Sequence, residues 1–472
     1  MGSESWSFSR SAPIHGQLIE KSRILNQNPG PLSISQWSRI FSSRKESEIY
    51  MQTRTSKLNA TDVTNAYEVL KPIVTHTDLQ YSRYLSDRYH ANVYLKREDQ
   101  QLVRSFKLRG AYYAISQTPE GTRKAGVVCA SAGNHAQGVA WTCKRMKIPA
   151  TIFMPTTTPA QKVGQVKYFG GDYVTIKLTG DTFDQSADAA LDFCQENGQT
   201  FIAPFDNLNT MAGQGTIAVE IFNDAKKQNL QIDDLFVAIG GGGLLSGIST
   251  YTKSVSPKTE IVGVEPSGAA SMKAAFDAGH PVDLEQLDKF VDGAAVQKVG
   301  ELPYATCRAN VDRLCQVPDG QVCNTILDLY SKTAIVAEPA GALSVAALES
   351  NKDKIAGKTV VCVISGGNND INRMQEIEER SLIYNGQQHY FIVNFAQRAG
   401  ALREFVNEVL NPDDDITKFE YTKKVNSTMG PVLIGVRLGN VDNLDALLAR
   451  VKRFDPKYIN LQENQMLYRM LV

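Results

Sequence analysis

From about Asn59 to Ile364 the chain alternates short β-rich apolar runs with segments of helical period. Several of those runs end in a Gly- or Ser-rich turn. No other feature constrains the fold as much, because strand, helix and parallel strand in succession form the unit of α/β architecture. Strands are expected at 91–96, 126–130, 150–155, 173–176, 234–239, 261–264 and 360–364. Helices are expected through Val139, Ala140 and Trp141 and from about Phe183 to Cys194. Ligands of open α/β sheets bind beyond the carboxyl ends of the strands, so chemistry is expected at the turns that close these runs. Two open twisted sheets facing each other across a cleft would bring the turns together.

The pattern changes after about Tyr384. A strand at 390–395, a helix from Gly400, strands at 416–424 and 432–438, a helix at 444–454 and a tail near Leu461 read as a ferredoxin-like βαββα unit closed by a short strand. A chain of 472 residues has material for roughly three domains. The expected division is 1–50 as a disordered or non-native extension, with Met51 as the natural start, then 51–384 and 386–472. Within the second segment a small lobe covers about 101–200 and a large lobe the remainder. The formal net charge is zero, so the global field favours neither nucleic acid nor acidic membranes. No apolar run is long enough to span a bilayer. The seven cysteines are odd in number and form no CxxC pair, which argues against a disulfide framework or structural zinc and suits a reducing cytoplasm. No metal is expected.

Four segments carry the candidate chemistry. Lys107 lies in Ser105-Phe106-Lys107-Leu108-Arg109-Gly110-Ala111, where apolar and small neighbours can strip an amine of water and leave it neutral and nucleophilic. Ser131-Ala132-Gly133-Asn134-His135 sits at a strand-to-helix junction whose N–H groups, hydroxyl and amide suit a substrate carboxylate. His135 there reads equally as a base and as a positioning residue. Gly240-Gly241-Gly242-Gly243, followed by Leu244, joins an apolar strand to a helix start and suits a phosphate. It is no P-loop, since no Gly-Lys-Ser/Thr follows. Ser365-Gly366-Gly367-Asn368 closes the last strand. The GxGxxA match at Gly213 follows no clear strand, so a dinucleotide is not expected.

In this order, with Tyr94-Leu95-Lys96-Arg97-Glu98-Asp99 and 212–216, these motifs make the chain resemble the threonine dehydratases (threonine ammonia-lyases). Those are fold-type-II pyridoxal 5'-phosphate (PLP) enzymes with a tryptophan synthase β-like fold. The resemblance runs from about Asn59 to Tyr384. It implies that Lys107 carries the cofactor and is the catalytic base, with Phe106 packed beside the ring. Asn134 would meet the phenolic oxygen, Gly240, Gly241, Gly242, Gly243 and Leu244 the phosphate, and Ser365 the pyridine nitrogen. The substrate would be held by Ser131, Ala132, Gly133, Asn134 and His135. The implied reaction converts L-threonine to 2-oxobutanoate and ammonia, and L-serine to pyruvate, as the first step of isoleucine biosynthesis. The last segment, with Arg398-Ala399-Gly400-Ala401-Leu402-Arg403-Glu404-Phe405, resembles a single ACT-like regulatory domain, as in the short biosynthetic form. That implies feedback by isoleucine, valine as a possible antagonist, and a homotetramer or dimer.

Serine racemase is the nearest alternative. There a second serine in the Ser-Ser-Gly-Asn-His loop serves the face opposite lysine, whereas Ala132 stands here and cannot exchange protons. The divalent-cation site of that relative maps only onto Glu265 and Ala269, with Ser271 in place of an aspartate. A non-catalytic effector-binding regulator on the same scaffold is the other alternative, opposed by the presence of Lys107, Asn134, the glycines and Ser365.

Overall fold

A computed structural model describes residues 57–423 and 427–472. The expectation for residues 1–50 and the Lys424 end of the strand expected at 416–424 lie outside those residues. In chain order the first strands are β1 (Leu79–Tyr81), β2 (Asn92–Arg97), β3 (Val127–Ala130), β4 (Ala150–Met154), β5 (Val174–Leu178) and β6 (Thr200–Phe201). Next come β7 (Asp234–Ala238), β8 (Glu260–Pro266), β9 (Arg313–Val317) and β10 (Thr359–Ile364). The last four are β11 (Gln388–Ala396), β12 (Asp415–Tyr421), β13 (Met429–Arg437) and β14 (Ile459–Asn460).

Two compact units result. One runs up to Pro318 and adds Asp328–Asn369; the other joins Asp319–Leu327 to Asp370–Val472. The first unit holds two sheets. The larger has the order β1-β2-β10-β7-β8-β9, parallel except for β1, and the smaller has the parallel order β5-β4-β3-β6. Helices cover both faces of a parallel sheet, so its central strands are apolar on both sides. Val127–Ala130 and Asp234–Ala238 are accordingly buried at every position. The seven strands expected in this region are all present. The sequence reading missed β1, β6 and β9: two are very short, and β9 is an edge strand whose Arg313 and Gln316 hide the apolar signal.

The glycines of the GxGxxA match lie inside helix Leu208–Lys227, not in a turn. A Cβ on Gly213 would fall 2.7 Å from the Arg109 carbonyl oxygen, and one on Gly215 2.7 Å from that of Gly247. They let three helices approach closely, which is a packing role.

In the second unit, β12-β13-β11-β14 is an antiparallel four-stranded sheet. With helices Ala401–Val409 and Leu444–Phe454 it completes the ferredoxin-like βαββαβ order. Its core is aromatic: the Phe395 ring lies 5.2 Å from Phe405 and 5.4 Å from Phe454, centroid to centroid.

Candidate active site

Lys107 is the first residue of helix Lys107–Ser116. The backbone before it is stitched to the turn after β10: the Phe106 N–H donates to the Ser365 carbonyl at 3.0 Å, and Ser105 bridges Gly366. The helix is held from behind by buried ions. Arg109 donates to both oxygens of Glu98 and of Glu220 at 2.7–2.8 Å, and the Lys96 ammonium lies 2.6 Å from Glu220. Two cations face two carboxylates, so the cluster is neutral. Burial opposes the charge on Glu220, yet Arg109 and Lys96 hold its pKa down at about 2.

Two residues away, Lys107 has no carboxylate in contact. Its Nζ donates to the Pro204 carbonyl at 2.9 Å and lies 5.2 Å from the centroid of the Phe106 ring. Lys107 is half-buried. Burial pushes its pKa down to about 8, against the weaker pull of Glu338. A substantial neutral fraction near pH 8 is the state a nucleophilic amine needs.

The other segments reach this helix start through intermediate residues. Phe205, next to Pro204, packs on the glycine tetrad, where a Cβ on Gly241 would fall 2.3 Å from its ring. Gly242 has φ of +91° and opens helix Gly243–Val255, whose first turn carries no side-chain cap. Its first amides therefore have no side-chain acceptor from the cap and are left to backbone or ligand. Leu244 is buried in that turn. Ser365 is buried at the end of β10, its Oγ 3.3 Å from the Ala340 carbonyl.

Asn134 begins helix Asn134–Met146. Its Oδ1 accepts from Asn368 Nδ2 at 2.7 Å and its Nδ2 donates to Glu338 at 2.6 Å. Ser131, Ala132 and Gly133 form a partly open loop in which Ser131 Oγ accepts from the Gly133 N–H at 3.2 Å. His135 is enclosed rather than open to the loop. It is buried, its Nε2 is 2.8 Å from the Ile202 carbonyl, and burial and then Lys107 push its pKa down to about 3. It is neutral at working pH, with its N–H directed into the backbone.

Glu338 escaped the sequence reading. A glutamate preceding Pro339 reads as an ordinary surface residue before a helix, yet this carboxyl is buried beside Asn134. Burial, then Asp292, raise its pKa to about 7. Glu265 has both carboxylate oxygens engaged by backbone. Its two oxygens accept from the Met272 and Lys273 N–H groups at 2.6 and 2.9 Å, capping helix Ser271–Ala278.

Comparison with known proteins bears on this arrangement. A family model described as pyridoxal-phosphate dependent enzyme matches residues 70–366, and one described as the C-terminal regulatory domain of threonine dehydratase matches residues 379–471. The chain is 58% identical over 415 residues to the L-threonine dehydratase biosynthetic IlvA of Lactococcus lactis subsp. lactis (strain IL1403), spanning 88% of this chain and 100% of that relative. A solved structure of the processed form of threonine deaminase isoform 2 from Solanum lycopersicum matches with a TM-score of 0.64 and 38% identity, covering 69% of this chain and 87% of that one. Maize serine racemase matches with a TM-score of 0.64 and 28% identity, covering 70% and 99%.

The residues present fit such a cofactor. A side-chain-free helix start suits its phosphate, an amine of lowered pKa its aldehyde, and an uncharged hydroxyl its ring nitrogen. Two buried polar atoms near Lys107, Ser105 Oγ and His135 Nδ1, also have no hydrogen-bond partner.

Proposed function

The chain belongs to the pyridoxal-phosphate-dependent enzymes, among the biosynthetic threonine dehydratases, and from that premise we propose how its residues divide the work. The reaction is the deamination of L-threonine to 2-oxobutanoate and ammonia, which feeds isoleucine biosynthesis. When bound, the cofactor supplies an aldehyde for the substrate amine and an electron-withdrawing ring that acidifies the Cα proton.

Lys107 would hold the cofactor at rest and, once freed, would take the Cα proton on its neutral amine. The observation that carries this reading is its isolation: a lysine whose pKa burial lowers, without a carboxylate in contact, where the turns after β6 and β10 meet. Asn134 and Ser365 orient the ring, and the amides of Gly240–Leu244 anchor the phosphate. Ser131, Ala132 and Gly133 hold the substrate carboxylate, with His135 fixing the loop. The Ser365 hydroxyl brings no negative charge to the ring nitrogen. Charge developing at Cα would then be held weakly by the ring, which would favour prompt loss of the β-hydroxyl; the proton taken from Cα and the departing hydroxide together account for the water lost. The released aminocrotonate takes up that water to give 2-oxobutanoate and ammonia. L-Serine, lacking only the methyl group, gives pyruvate by the same path. Ala132 offers no proton on the opposite face, so racemisation is slow.

Regulation belongs to residues 386–472, most of which lie in the 379–471 match to a regulatory domain, and these serve effector binding. Isoleucine is the effector we assign, valine its antagonist, and pairing of these units would give a homotetramer or dimer. No described helix is long and apolar enough to cross a membrane, and a cytoplasmic setting suits the free thiols. Oxoacid formation from L-threonine and L-serine, with and without isoleucine, tests these assignments. Loss of turnover in Lys107→Ala is expected; unchanged turnover would overturn the mechanism, and indifference to isoleucine the effector.

A further inference from the structure

Glu338 is a buried carboxyl with no cation in contact, close to the reacting lysine. It stands before helix Pro339–Ala346, its N–H donating to the Gly366 carbonyl at 3.1 Å. Its carboxyl fills the space over Gly366, where a Cβ would fall 2.3 Å from Oε1. Such a group costs free energy unless it is hydrogen-bonded; its carboxyl accepts from Asn134 Nδ2 and from the Asn368 backbone N–H. Asn134 is thereby held at both ends, since Asn368 donates to its Oδ1 while Glu338 accepts from its Nδ2. A side-chain amide can flip, and this pair of contacts fixes which end is the donor. The second hydrogen on Nδ2 is then available to a ligand.

We propose that Glu338 is a positioning residue: its buried carboxyl fixes the Asn134 amide as a hydrogen-bond donor toward the ring that Lys107 holds. The inference rests on the role given to Asn134 above. Charged groups face Glu338 from several elements. Lys107 lies on helix Lys107–Ser116, Lys162 on helix Ala160–Gly170, and Asp292 in the loop before helix Glu301–Asn310. Lys162 and Asp292 are paired with each other at 2.6 Å, so the pull of Lys162 offsets only part of the push of Asp292 on Glu338. With its pKa raised to about 7, Glu338 ionises within the working range. The carboxylate holds Asn134 by a charge-assisted bond, and protonation weakens that bond.

The test uses holoenzyme and cofactor-free protein of wild type, Glu338→Gln and Asn134→Ala. Wild-type turnover is expected to fall by up to tenfold per pH unit below about 7. Glu338→Gln keeps an acceptor for Asn134 but cannot ionise. It should bind cofactor, turn over roughly tenfold more slowly at pH 8, and lose the part of the acid limb centred near 7, while the limb set by Lys107 near 8 stays. Cofactor-free protein gives a second reading. A carboxyl whose folded pKa exceeds its unfolded one loses stability as pH rises from about 4.5 to about 7. The melting temperature of Glu338→Gln should therefore gain on wild type across that window and level off above it. An unchanged acid limb in Glu338→Gln, with Asn134→Ala impaired, overturns the inference alone. Wild-type turnover and cofactor absorption in Asn134→Ala would overturn the reading beneath it, and the inference as well.

Discussion

Lys107 and Arg109 are two cations two residues apart on one helix, and the protein treats them oppositely. Arg109 is enclosed by Glu98 and Glu220; burial alone would lower its pKa, but the two carboxylates hold it above the ordinary value. Lys107 meets a carbonyl and an aromatic ring, and burial wins. The same desolvation thus yields a permanent charge or a reactive amine, and the presence of a carboxylate decides which. The Arg109 cluster gives rigidity to the helix, and Lys107 uses that rigidity.

The largest effect that should separate the two is catalytic. Lys107→Ala should lower threonine turnover by at least about a thousandfold, measured as oxoacid formation, because it removes both anchor and base. Retention of more than a few per cent would erase the distinction. Arg109→Met should act on stability, costing about 3–5 kcal/mol in denaturant unfolding because Glu98 and Glu220 are left buried without their main partner. Lys107→Met should change the same quantity in cofactor-free protein by less than about 1 kcal/mol, since no carboxylate is abandoned. Equal losses in the two variants would break the comparison.

Stability against pH sharpens it further. The unfolded lysine takes up a proton below about 10.5 and the folded one only below about 8. The unfolded state therefore binds more protons in between, and stability of cofactor-free protein should rise with pH across that window. Lys107→Met should lack the rise. Glu220 works at the other end: its pKa is held at about 2, so its contribution is present above about 4.5 and lost as pH falls toward 2. The smallest effect concerns the phosphate turn. Gly242→Ala places a side chain at φ of +91°, which should cost about 1–2 kcal/mol and weaken cofactor affinity in titrations.

How legible these features are in the sequence follows the range of the interactions behind them. Runs such as Asp234–Ala238 and Thr359–Ile364 are apolar because both faces of the sheet are covered, so the strands can be read locally. The glycine tetrad and Lys107 are legible for the same reason, each being a short segment whose chemistry is its own. Lys96, Glu98 and Arg109 stand in segments that already look unusual. Their closure needs Glu220, 111 residues beyond Arg109, and nothing local announces that. Glu338 is hidden more deeply, since its partner Asn134 lies 204 residues away and a glutamate before a proline draws no notice. His135 is ambiguous as a residue type; burial and the Ile202 carbonyl give it a structural place.

The central claim is that Lys107, and not another lysine, is the amine at the heart of the site. Borohydride reduction of holoenzyme, followed by digestion and mass spectrometry, fixes the cofactor to the lysine that holds it. The account predicts the added mass on the peptide containing Phe106 and Lys107, and none on that peptide when L-threonine displaces the lysine before reduction. Added mass on a different lysine would contradict it.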